Sequence, residues 1–167
     1  MKNVMFEKVG KYKNLKIDKI FLEFENIPVL FSCTDDSDAL FLCLCNEIRK
    51  KQRWVIAKIS PEDLAKMLED KITIYEAFQA ANEPKFIVDY EPTISQELNV
   101  QETSFNDMKP EDLPDKDEFL ENQGEFTEYI SELYSLVSQT IWNITIETSE
   151  ENCNQIWSDS SMLCLAS

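Results

Sequence analysis

Between Ile20 and Ser60 the chain carries four apolar segments of strand length, separated only by short polar turns: residues 20–25, 28–34, 39–45 and 53–59. Each is rich in β-branched and aromatic residues, the composition that fits a pleated, half-buried surface. With connections this short, successive strands pair as antiparallel hairpins, since a parallel pair needs a crossover of about a dozen residues. The stretch therefore predicts an antiparallel meander as the core sheet. In its third strand Phe41, Cys43 and Cys45 share one face, and Leu40, Leu42 and Leu44 share the other. Both faces are apolar, so this strand is expected to be central and covered on both sides. Asn26 and Pro28 punctuate the first turn, and Asp35-Asp36-Ser37-Asp38 makes the second, where short acceptor side chains bond nearby backbone.

The flanks are read from helix and strand signals. Residues 1–19 interleave Lys2, Lys8, Lys11, Lys13, Lys16 and Lys19 with apolar positions, which suits an extended arm or an edge strand. Ser60-Pro61-Glu62-Asp63 starts a helix: a capping hydroxyl, proline in the first turn, and acids at the positive end of the dipole. Residues 71–80 suit a strand or a short second helix, and Thr73 with Glu76 three later, as a capping box, favours the helix. Residues 85–91 read as a strand ended by Pro92, and the composition of 98–103 allows another. Phe126, Tyr129, Ile130, Leu133, Leu136, Val137 and Ile141 repeat at helical spacing. Residues 140–146 suit a strand by composition or prolong that helix, and the apolar end of the tail is expected to dock on the core. The expected fold is α+β, an antiparallel β-meander sheet of about five strands packed with two or three helices. Residues 1–92 would form the sheet-bearing core with its helix at 61–70. Residues 93–124 would be an acidic linker or loop, and 125–167 an amphipathic helix and C-terminal segment packed on the core.

Composition removes several function classes. Histidine is absent, which takes away the commonest general base, the commonest zinc ligand and every Ser-His-Asp or Cys-His arrangement. Two glycines in 167 residues argue against a glycine-rich phosphate loop. The odd count of five cysteines and the lack of a secretory signal at the N-terminus predict reduced thiols in a cytoplasm. Cys33, Cys43 and Cys45 read as small buried hydrophobes. No run approaches the roughly 20 apolar residues of a membrane span. No cofactor or metal is expected. Asp35, Asp36 and Asp38 offer hard oxygen ligands, but without the spacing of a calcium loop.

Charge is divided along the chain. Residues 1–60 carry 11 Lys/Arg against 8 Asp/Glu, a net of +3, whereas 61–167 carry 5 against 24, a net of −19. A surface this acidic repels phosphates, so no direct nucleic-acid contact is expected.

Four segments, in order, carry a resemblance: Pro28-Val29-Leu30-Phe31-Ser32-Cys33-Thr34-Asp35, Leu42-Cys43-Leu44-Cys45, Arg53-Trp54-Val55-Ile56-Ala57-Lys58, and Lys71-Ile72-Thr73-Ile74-Tyr75-Glu76-Ala77-Phe78. The set resembles an uncharacterised family of small acidic proteins from Gram-positive bacteria and their mobile elements, over roughly residues 15–92. Its motifs are structural in type. The resemblance implies an origin and a cytoplasmic setting, and no activity.

The functional expectation is a non-enzymatic acidic interaction protein that docks on a basic protein partner. An immunity protein, antitoxin or inhibitor, including one that imitates a nucleic-acid backbone, fits that description. The carboxylates nominated for the partner are Glu97, Glu102, Asp107, Glu111, Asp112, Asp115, Asp117, Glu118, Glu121, Glu125, Glu128 and Glu132. The alternative is a small histidine-free enzyme or ligand-binding module. It would use Asp35, Asp36 or Asp38 with the basic hairpin of Arg49, Lys50, Lys51 and Arg53.

Overall fold

The computed structural model describes residues 3–49 and 51–142, and within it every strand pairs antiparallel with its neighbour in sequence. The strands are β1 (Val4–Val9), β2 (Tyr12–Phe24), β3 (Ile27–Thr34), β4 (Leu40–Glu47), β5 (Gln52–Lys58), β6 (Lys85–Tyr90) and β7 (Asn99–Thr103). Helices α1 (Pro61–Leu68) and α2 (Ile74–Ala80) lie between β5 and β6. Two 3-10 turns, Phe105–Asp107 and Pro110–Asp112, follow β7, and α3 covers residues 127–142.

The expectation of an α+β fold with about five strands is corrected. The protein is mostly one seven-stranded antiparallel sheet that curls into a nearly closed barrel, with three helices. The extra strands come from the lysine-rich N-terminus and from 99–103. Residues 4–9 pair with the front of β2, whose thirteen residues then run on to pair with β3. The register shifts between Val4 and Phe6, and again at three places along the β2–β3 pair. Each bulge inserts an unpaired residue and breaks the two-residue alternation by which a strand is read. The same bulges add twist and bend, which is how a sheet coils toward closure.

Curling separates two apolar compartments. Inside the barrel lie Phe6, Leu15, Phe31, Cys33, Phe41, Cys43, Trp54, Ile56, Phe86 and Val88. Rings from non-adjacent strands meet there: Phe6 of β1 and Trp54 of β5 are edge-to-face at 5.1 Å, and Tyr12 of β2 and Phe86 of β6 at 6.1 Å. At the turn between β1 and β2, Gly10 takes φ 59°, and a Cβ there would stand 2.6 Å from the Phe86 ring. Only glycine lets that turn close over β6. The second compartment lies on the outer face, where Leu30, Leu40, Leu42, Val55, Ala57 and Ile87 are covered by the helices. The strict alternation along β4 thus feeds two cores. Cys33, Cys43 and Cys45 are buried free thiols of the interior. Burial, and then Cys33 beside it, raises the Cys43 thiol well above its ordinary value.

Both helix starts follow the capping chemistry. Ser60 Oγ accepts the Asp63 N–H at 3.1 Å. Thr73 Oγ1 accepts from Glu76 N at 3.1 Å while Glu76 Oε2 accepts from Thr73 N at 2.8 Å, a complete capping box. A cap of this kind stabilises by about 1 kcal/mol. Leu64, Ala65, Met67 and Leu68 of α1, and Ile74, Ala77 and Phe78 of α2, face the outer core. The strand or helix continuation considered for 143–146, the apolar tail, Cys153 and Cys164 lie outside the described residues.

Candidate docking surface

Residues 105–126 form a strap that crosses the outer face from β7 to α3. Its apolar side chains, Phe105, Met108, Leu113, Leu120 and Phe126, pack on the outer core. Polar bonds pin its backbone at four places. The first involves Lys85, a lysine with no exposed surface. Its Nζ donates to the carbonyls of Ala81 (2.7 Å) and Asn82 (3.2 Å) at the end of α2 and to Glu83 Oε1 (3.2 Å). Glu83 Oε1 also accepts the Phe105 N–H at 3.2 Å, which ties the strap to that corner.

The second is an ion-pair cluster. Arg53 donates from Nε and Nη2 to both oxygens of Asp112, at 2.8 and 3.0 Å, and from Nη1 to Asp89 at 2.8 Å. Asn46 Nδ2 donates to the Asp112 carbonyl at 3.1 Å. Asp112, and then Asp89, hold the Arg53 guanidinium even more firmly protonated than usual. At the third, Asp70 accepts the N–H groups of Glu121 and Asn122, both at 2.9 Å, and Asn122 Nδ2 donates to Leu68 O at 2.7 Å. At the fourth, the Ile74 N–H donates to Glu118 O at 3.0 Å.

The strap then delivers α3 to the sheet. The Tyr129 hydroxyl donates to Asp18 Oδ2 at 2.8 Å and lies 2.8 Å from Ser32 Oγ. A phenol has one proton, so Ser32 donates the second bond. Burial, with Asp18 adding to it, raises the Tyr129 phenol far above its ordinary range. Tyr134 of α3 reaches Glu69 at the end of α1. There Lys71 first, and Tyr134 second, hold the Glu69 carboxyl below its usual value.

The nominated carboxylates divide sharply on this frame. Glu97, Glu102, Asp107, Glu111, Asp115, Asp117, Glu118, Glu121, Glu125, Glu128 and Glu132 are exposed. Asp112 is not: it is 3% exposed and committed to Arg53, so it belongs to the scaffold of the strap and offers nothing to a partner. Over residues 93–142 these twelve acids face only two cations, Lys109 and Lys116.

Of the residues of the alternative reading, Asp35, Asp36 and Arg53 are committed to local structure, while Asp38 is exposed. Asp35 Oδ1 accepts the N–H groups of Ser37 and Ala39 and the Ser37 hydroxyl, which shapes the turn between β3 and β4. Asp36 accepts from Asn14 Nδ2 at 2.7 Å. Of the basic hairpin, Arg53 is paired, Arg49 is exposed and Lys51 half-buried. Lys50 lies outside the described residues.

A feature absent from the sequence reading sits within the strap. A cavity of about 410 Å³ opens between α2 and the two 3-10 turns, lined by Tyr75, Phe105, Met108, Pro110, Pro114 and Asp115. Tyr75 and Phe105 are edge-to-face at 5.2 Å. Lys116 also lines it, with Nζ 5.7 Å from the Tyr75 ring centre. Tyr75 and Phe105 are thirty residues apart, so only the aromatic types were visible in the chain.

No family model, no curated protein and no solved structure matches this chain. Among the described residues, no helix is long and apolar enough to cross a membrane.

Proposed function

We propose that the protein is a non-enzymatic interaction module that docks its acidic strap and α3 on a basic protein partner, in the manner of an immunity protein, antitoxin or inhibitor. The observation that carries this reading is the display of eleven exposed carboxylates over 93–142, nine of them on α3 and on the strap whose backbone is pinned through Arg53, Asp70 and Lys85. An acidic segment already held in place avoids much of the ordering cost of binding. A dense single-sign field also speeds encounter with a basic surface and repels acidic competitors. The resemblance over residues 15–92 adds a bacterial, mobile-element and cytoplasmic setting to the proposal. The buried free thiols are compatible with a reducing compartment.

The test is capture from a Gram-positive lysate on immobilised protein, washed at low and then high salt and read by mass spectrometry. The screening length falls from about 10 Å at 0.1 M to about 3 Å at 1 M. The reading expects a basic protein that stays at low salt and leaves at high salt. A partner equally retained at both salts, or an acidic one, would overturn it.

A further inference from the structure

Resting on that reading, we propose that the cavity between α2 and the two 3-10 turns is the anchor pocket of the interface and receives an arginine side chain of the basic partner. Its chemistry is that of a guanidinium site. Tyr75 supplies a ring face, Pro110 and Pro114 supply flat apolar walls, and Asp115 supplies an exposed carboxylate at the rim. A guanidinium stacks flat on such a ring and bonds a carboxylate through a planar, bidentate fork, whereas an ammonium meets both only as a compact point charge. The ring already holds a cation, since Lys116 of the same chain lies over it. Four further exposed acids, Asp107, Glu111, Asp117 and Glu118, lie within a few residues of the lining in sequence and make the segment strongly negative. An apolar, aromatic pocket inside a charged rim is the usual form of an interface hot spot, where arginine is enriched. Phe105, which lines it, is held from behind: its N–H donates to Glu83 Oε1 and its ring centre lies 5.9 Å from Lys85 Nζ. Lys116 acts as an internal occupant that an incoming arginine displaces.

The experiment compares a nine-arginine with a nine-lysine peptide of equal charge. It is read by binding titration and by the methyl resonances of Met108 and Leu113 in the labelled full chain. The pocket predicts about fivefold tighter binding of the arginine peptide, with both methyl signals shifting. Asp115→Asn should abolish that preference, while Glu128→Gln on α3 weakens both peptides alike. Lys116→Ala should tighten the arginine peptide beyond the gain seen for the lysine peptide. Tyr75→Leu, checked for an unchanged fold, should remove the preference as Asp115→Asn does. If both peptides bind equally and leave the Met108 and Leu113 methyls unmoved, the anchor pocket is refuted while acidic docking stands. If neither peptide binds at low salt, both ideas fall.

Discussion

Replacing Asp112 by asparagine keeps its shape and removes the charge that faces Arg53. The neighbouring Glu111→Gln makes the same chemical change one residue away. The structure gives the two different consequences. Asp112 accepts two guanidinium bonds, at 2.8 and 3.0 Å, from a 3% exposed position. Removing one member of a buried charge pair costs about 3–5 kcal/mol. Arg53 keeps Asp89 at 2.8 Å and is itself 20% exposed, and asparagine retains one acceptor, which together lower the expected cost to about 2 kcal/mol. Urea unfolding of a small protein has a slope of about 1–3 kcal/mol/M, so the Asp112→Asn midpoint should fall by about 1 M at unchanged slope. Glu111 is exposed, and its midpoint should not move. Equal midpoints for the two variants would refute the division of the acids into scaffold and surface. Hydrogen exchange gives a local version of the test. In Asp112→Asn the amides of Asp112 and Leu113, which close the second 3-10 turn, should exchange faster than in Glu111→Gln.

Lys85→Met should lower the melting temperature by roughly 5–15 °C, because the carbonyls of Ala81 and Asn82 lose a buried donor; a shift under about 2 °C would contradict that role. The wild type should lose stability as pH rises above about 10, since the unfolded phenol of Tyr129 ionises there while the folded one stays protonated. Tyr129→Phe should reduce that alkaline arm in chemical denaturation at graded pH, and an identical arm in both proteins would count against the burial of the Tyr129 phenol. Cys33, Cys43 and Cys45 should resist iodoacetamide in the native protein and react after denaturation, by peptide mapping; native labelling at rates near those of a free thiol would mean the barrel interior is open.

How much was legible in the sequence differs element by element. The helix start at Ser60-Pro61 was plain because its signal is local, whereas 71–80 also suited a strand and only the Thr73–Glu76 capping box tipped it toward a helix. The two faces of β4 were equally plain, since unbroken alternation from Leu40 to Cys45 assigns each side chain to one compartment. β1 and the front of β2 were hidden because bulges shift the apolar phase within a few residues, and lysines fill the outward positions. With residues 1–19 open between an extended arm and a single edge strand, barrel closure could not be inferred. The division of the acids was hidden for another reason. Asp112 and Glu111 look alike in the chain, and the residue that distinguishes them, Arg53, stands 59 positions away. The ring pair that floors the arginine pocket is likewise a product of the strap's path, which no local pattern encodes.

The central claim, that the exposed acids of the strap and α3 carry recognition, is tested most directly by neutralising them in a folded protein. The variant replaces Glu111, Asp115, Asp117, Glu118, Glu121 and Glu128 by their amides and keeps Asp112. Capture from the same lysate at low salt, side by side with the wild type, is the measurement. The account predicts that the basic protein held by the wild type is absent from the variant. Recovery of the same protein by both in equal amount would contradict it.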